Sequence, residues 1–117
     1  SGSASLAVSV HLSPSLLEQA ALEDTVFIFA RAANGPRMPL AIARRTVADL
    51  PLDLELNDAM AMMPAMRLSA FPNVIVGARI SKTGNAMPSA GDLFGEMGPL
   101  SRDNTERVSI TIDRVVR

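Results

Sequence analysis

The chain has 117 residues, 48% hydrophobic and 20% charged, with a net charge of −1, the profile of one globular domain rather than a disordered or two-domain chain. Acids and bases are interspersed, so neither nucleic acid nor an acidic membrane surface is expected as a partner. The absence of cysteine excludes disulfides, thiol catalysis and thiolate metal sites.

In chain order, Leu6, Val8, Val10 and Leu12 alternate with small or polar residues, the period of a half-buried strand. "SPSLLEQAA" (13–21) predicts one or two helical turns, with Ser13 as N-cap and Pro14 as the first helical residue. "TVFIFAR" (25–31) is apolar on both faces and reads as a central strand covered on both sides. After the turn residues "NGPRMP" (34–39), "PLAIARRT" alternates through Leu40, Ile42 and Arg44. A short turn at "TVADLP" (46–51) leads to "PLDLELN" (51–57), where Leu52, Leu54 and Leu56 oppose Asp53 and Glu55. "NVIVGARI" (73–80) is the next strand, with "KTGN" (82–85) as a hairpin loop behind it. Residues 84–104 hold glycines and prolines without sustained periodicity and read mostly as loop. "RVSITIDRVV" (107–116) completes the set.

Short strands with little helix predict an all-β fold, a two-layer antiparallel β-sandwich of immunoglobulin-like or cupredoxin-like topology with one or two short helical turns. Val8, Val10, Phe27, Phe29, Leu40, Ile42, Leu54, Leu56, Val74, Val76, Ile110 and Ile112 are the expected core. The opening "SGSAS" (1–5) reads as a cloning remnant, leaving 6–117 as one domain cut from a longer protein. No apolar run reaches the roughly 18 residues that span a bilayer, and no signal peptide is evident.

No catalytic constellation is legible. His11, the single histidine, falls on the face opposite Val8 and Val10 and is expected in solvent. It has no matched nucleophile and acid, and "GDLFGEMG" (91–98) lacks the strand and lysine of a phosphate-binding loop. Asp53 and Glu55 share a face, but most simply the solvated one. Neither an enzyme nor a bound cofactor is expected.

Met60, Met62, Met63 and Met66 crowd into "NDAMAMMPAMRLSAFP" (57–72), more than half of the chain's 7 methionines. Three readings stand. Unbranched thioethers fill irregular gaps in a core; they also re-pack around varied apolar partners; and as soft ligands they select Cu(I). In the third reading His11 is a distant fourth ligand and the domain is a Cu(I)-binding module. Without a thiolate, a blue-copper centre is ruled out. Asn57 or Asp58 is suited to cap a helical turn over 59–63 that Pro64 would end.

The blocks "FARAANGPRMPLA" (29–41), "DLPL" (49–52), "DAMAMMP" (58–64), "LSAFP" (68–72) and "VGARISKTGNA" (76–86) together resemble the C-terminal domain of the CcmI/CycH family of c-type cytochrome biogenesis proteins. The likeness runs from Val8 to the "ITIDRVV" ending, and Phe94 in "GDLFGE" departs from it where an acidic residue is expected. It implies a membrane-anchored protein whose periplasmic tetratricopeptide-repeat region precedes this domain. It also implies partners: apocytochrome c, subunits of the haem ligation complex, or the protein's own repeat domain. The expected role is a non-catalytic binding or scaffold domain on the periplasmic side of the bacterial inner membrane, supporting apocytochrome delivery. Its expected partner surface is the sandwich end bearing Arg37, Met38, Met60, Met62, Met63, Met66 and Arg67, with an unpaired sheet edge as the other candidate. No metal site and no direct membrane contact by the domain are expected.

Overall fold

The alternation in "SLAVSVHL" turns Leu6, Val8 and Val10 to one side, and all three are fully buried in the first strand, β1 (Ser5–Leu12). The computed structural model describes residues 5–35, 39–57, 68–82, 90–101 and 106–116. Among these residues seven further strands follow: β2 (Thr25–Ala32), β3 (Pro39–Thr46), β4 (Leu52–Asn57), β5 (Asn73–Ser81), β6 (Leu93–Ser101), β7 (Val108–Ile112) and β8 (Arg114–Val115). They form a 3-stranded sheet in the order β4-β1-β7 and a 5-stranded sheet in the order β3-β2-β5-β6-β8.

In the smaller sheet Leu6 lies opposite Leu56, and Val8 between Leu54 and Val108, so the inward rows are aliphatic. Its outward rows are polar: Ser9 beside Asp53 and Ser109, and His11 beside Thr111. His11 is exposed, as the alternation places it. All pairings are antiparallel but one. The β1·β7 pair is parallel, a departure from the uniformly antiparallel sandwich expected. Parallel neighbours need a long crossover, and here four of the five strands of the second sheet, β2, β3, β5 and β6, lie between β1 and β7 in sequence.

In the larger sheet Val26, Ile28 and Ala30 of β2 are fully buried and meet Val74, Val76, Ala78 and Ile80 of β5 in the core cluster. Val8, Val10, Leu40, Leu56, Val74, Val76, Ile110 and Ile112 are buried as expected. Leu54 is half-buried at the margin of the core. Phe27 is buried too, at 6% exposure, but on the outer face of this sheet, beneath the arginines of its neighbours; Phe29 and Ile42 share that face, are half-buried, and depart from the expected core.

Three 3-10 turns lie among the described connections between strands. Pro14–Gln19 begins with the Leu16 N–H donating to the Ser13 carbonyl at 2.9 Å, and its Leu16 is buried in the core. Val47–Asp49 carries the turn expected before β4; Asp49 Oδ2 accepts the Thr46 N–H at 3.0 Å and closes a capping box. Leu68–Ala70 precedes β5.

β6 occupies residues expected as loop. Gly95, Gly98 and Pro99 break its alternation, and the tertiary fold explains Gly95. A Cβ there would collide with the Thr111 carbonyl of β7, which crosses directly over β6. Beyond β7 the Asp113 N–H donates to the Phe94 carbonyl at 3.2 Å, and the chain passes into β8 at the edge of the other sheet. That crossing joins the two layers along one side.

Candidate functional site

The outer face of the five-stranded sheet is assembled by register. Phe27 of β2 lies opposite Arg44 of β3 and Arg79 of β5; Arg79 lies opposite Phe94 of β6, and Phe94 opposite Arg114 of β8. One row therefore reads Arg44, Phe27, Arg79, Phe94, Arg114, alternating cation and ring across the whole sheet. The guanidinium carbons of Arg44 and Arg79 stand 5.7 and 5.2 Å from the Phe27 ring centre, and that of Arg114 stands 5.7 Å from the Phe94 ring centre. These are cation–π distances. The next row holds Ile42, Phe29, Gly77 and Glu96, and the row beyond it Pro39, Arg31 and Ile75. Of the chain's 4 phenylalanines, three thus face outward here while the core is aliphatic.

The arginines are not equivalent. Arg79 is 6% exposed, and its Nη1 donates to Asp92 Oδ2 at 2.8 Å. Asp92 is fully buried and its Oδ1 accepts the Lys82 N–H at 3.1 Å, so this pair is a structural clamp between β5 and the start of β6. Arg31 donates to Glu96 at 3.4 Å. Arg114 sits 3.7 Å from its neighbour Asp113, with both side chains more than half exposed, a pairing that water weakens. Arg44 is exposed and, among the described residues, contacts the Phe27 ring without a carboxylate partner.

Two other polar clusters are local. Ser9 Oγ donates to Asp53 Oδ1 on the smaller sheet, with Arg107 at 3.5 Å from the same carboxylate. Asp24 Oδ2 accepts the Ala21 N–H at 3.0 Å and the Lys82 ammonium at 2.9 Å. Burial pushes the Asp24 carboxyl up, but those two donors outweigh it and hold it below the usual carboxylate range. Among the described residues no group of three or more His, Asp or Glu side chains is placed to hold a metal ion. No described helix is long and apolar enough to cross a membrane.

The residues expected to bind a partner, Arg37, Met38, Met60, Met62, Met63, Met66 and Arg67, lie outside the described residues, as does the helical turn expected over 59–63. Their described flanks do meet: the Phe71 ring is 3.5 Å from where a Cβ on Gly35 would stand, and the Ala33 N–H donates to the Asn73 carbonyl at 3.0 Å. The Arg–Phe row escaped sequence reasoning because its members come from five strands. The available signal was the pair Phe27 and Phe29, two apart on a strand whose other face is equally apolar.

Residues 6–113 match the family described as the cytochrome c-type biogenesis protein H Ig-like domain. The chain belongs to this family. Of the two sandwich topologies expected, the immunoglobulin-like one is therefore the family's own. The chain is also 47% identical over 108 residues to the cytochrome c-type biogenesis protein CycH of Pseudomonas aeruginosa, a match that covers 92% of the chain and 26% of that protein. This Ig-like domain thus spans about a quarter of the length of its curated relative. No solved structure matches the chain.

Proposed function

We propose that this domain is a non-catalytic binding and scaffold module in c-type cytochrome maturation, acting on the periplasmic side of the bacterial inner membrane within a longer, membrane-anchored protein. There it supports delivery of apocytochrome c to the haem ligation complex. Family membership and the biogenesis role in the relative's name support the pathway. The observation that carries a binding role is the outer face of the five-stranded sheet. Arginine and phenylalanine are enriched at interfaces, and here Arg44, Arg114, Phe29 and Phe94 keep open surface on one face, outside the aliphatic core cluster.

The test is charge reversal in the full-length protein. Arg44→Glu combined with Arg114→Glu changes exposed side chains only, so the domain should fold while cytochrome c yield and co-purification with apocytochrome or ligation subunits fall. Unchanged yield and unchanged co-purification would remove this face from the reading. Deleting the whole domain without loss of cytochrome c would remove the functional reading itself.

The contact between the flanks Gly35 and Phe71 favours a second surface, the segment pair carrying Arg37, Met38, Met60, Met62, Met63, Met66 and Arg67. Thioethers and guanidinium groups suit an adaptable apolar interface. Met62→Glu with Arg37→Glu tests it by the same two readouts.

A further inference from the structure

The outer face of the larger sheet has a charge and a spacing that describe what would cover it. Around it stand Arg31, Arg44, Arg79 and Arg114 against Glu96, Asp92 and Asp113, a small excess of positive charge in a chain whose net charge is −1. Arg31 and Arg79 are already paired, so the charge left for a partner sits at the two ends of the row, on Arg44 and Arg114. Four strand spacings separate these ends, about 19 Å at about 4.8 Å per strand. Between and beside them lie the apolar contacts Phe94, Phe29 and Ile42, each half-buried, while Phe27 is buried beneath Arg44 and Arg79.

An extended segment is poorly suited to this face. Strands β2 and β5 are hydrogen-bonded to neighbours on both sides, and β6 to β5 along its length and to β8 at Leu93 and Phe94, so the middle of the face offers a ligand few free main-chain groups. An extended peptide laid across them would bury its own backbone groups unpaired, whereas a helix arrives with those groups satisfied. The spacing agrees. The row repeats every second strand, about 9.6 Å, and residues i and i+7 of a helix lie about 10.5 Å apart on one side, while alternate residues of a strand lie about 6.8 Å apart.

The geometry points to an amphipathic helix of a partner protein as the occupant, with an apolar stripe lying over Phe29, Ile42 and Phe94 and with carboxylates near its two ends meeting Arg44 and Arg114. About 13 residues, just under four turns, span the row. The inference rests on the reading of this face as the partner surface and adds the chemistry and conformation of what binds there. Electrostatic complementarity of this kind sets orientation and association rate and weakens with salt.

The experiment uses three synthetic peptides of about 15 residues. The first carries leucines at i, i+3, i+7 and i+10 with glutamates in its first and last turns. The second has lysines for the glutamates. The third has the first peptide's composition with two central prolines that forbid a helix. Each is titrated by calorimetry into the chain and into its Arg44→Glu, Arg114→Glu variant, whose fold is checked by circular dichroism. Saturable binding of the acidic helix, weakened roughly tenfold or more by the double reversal and by raised salt, with neither control peptide binding comparably, is the expected result. Equal binding of acidic and basic helices, equal binding of the proline peptide, or indifference to the arginines would overturn the proposal, as would no binding at all. A parallel measurement of cytochrome c yield with the same double variant in the full-length protein separates the two claims. Lost yield with no peptide binding keeps the surface and rejects the acidic helix; peptide binding with intact yield keeps the helix site and rejects its role in maturation.

Discussion

The Phe29 side chain covers Gly77 of the adjacent strand: its Cζ lies 2.7 Å from the point that a Cβ on Gly77 would occupy. A ring lying over a sheet glycine shields backbone that no side chain would otherwise cover. Phe29 therefore does its packing on the solvent side, and its removal should cost less than removal of its inward neighbour. Urea denaturation is expected to give about 1–2 kcal/mol for Phe29→Ala and about 2–5 kcal/mol for Ile28→Ala. Gly77→Ala should destabilise in the natural background and become neutral or better alongside Phe29→Ala, a coupling of at least about 0.5 kcal/mol in the double-mutant cycle.

Gly95 faces backbone rather than a movable ring. Gly95→Ala places a methyl group against the Thr111 carbonyl, and no rotamer change relieves it. A loss above about 3 kcal/mol, or failure to fold, is expected, in contrast to the modest cost at Gly77. A folded Gly95→Ala protein of near-native stability would mean that β7 does not cross β6 at this point.

Asp92 is fully buried against Arg79, whose side chain is 8% exposed. Asp92→Ala leaves that guanidinium buried without its carboxylate and should cost about 3–5 kcal/mol in chemical denaturation. Arg44→Ala, at the exposed end of the same row, should cost no more than about 1 kcal/mol. Equal costs at the two positions would contradict the division of this face into a buried clamp and an exposed rim.

Asp24 makes stability depend on pH on the acid side. Its carboxyl is held below the usual carboxylate range, so the ionised form is favoured in the folded state. The contribution is complete above the unfolded-state value, near pH 4, and is lost as pH falls through the lower folded-state value. Asp24→Asn should lower stability at pH 7 by about 1 kcal/mol and leave a shallower decline as the pH falls below about 4. Denaturation midpoints of the two proteins that run parallel across that range would remove Asp24 as a source of the acid limb.

Read from the sequence alone, the strands that bury one face were legible because each carries its own answer. Leu6, Val8 and Val10 alternate with Ala7, Ser9 and His11, and Leu52, Leu54 and Leu56 with Asp53 and Glu55, so hydrophobic burial chooses the face within a single strand. The family motifs were equally legible, being strings of neighbours. β2 gave no such choice. Val26 and Ile28 compete with Phe27 and Phe29 for the interior, and only contact with β5 and the opposing sheet settled the matter for the smaller, branched pair. β6 was hidden because Gly95 answers to the β7 backbone above it, not to its own strand. The Arg44–Phe27–Arg79–Phe94–Arg114 row was out of reach for the same reason in stronger form. Its members are brought side by side by hydrogen-bond register between five strands, and register is a property of the folded sheet rather than of any stretch of chain.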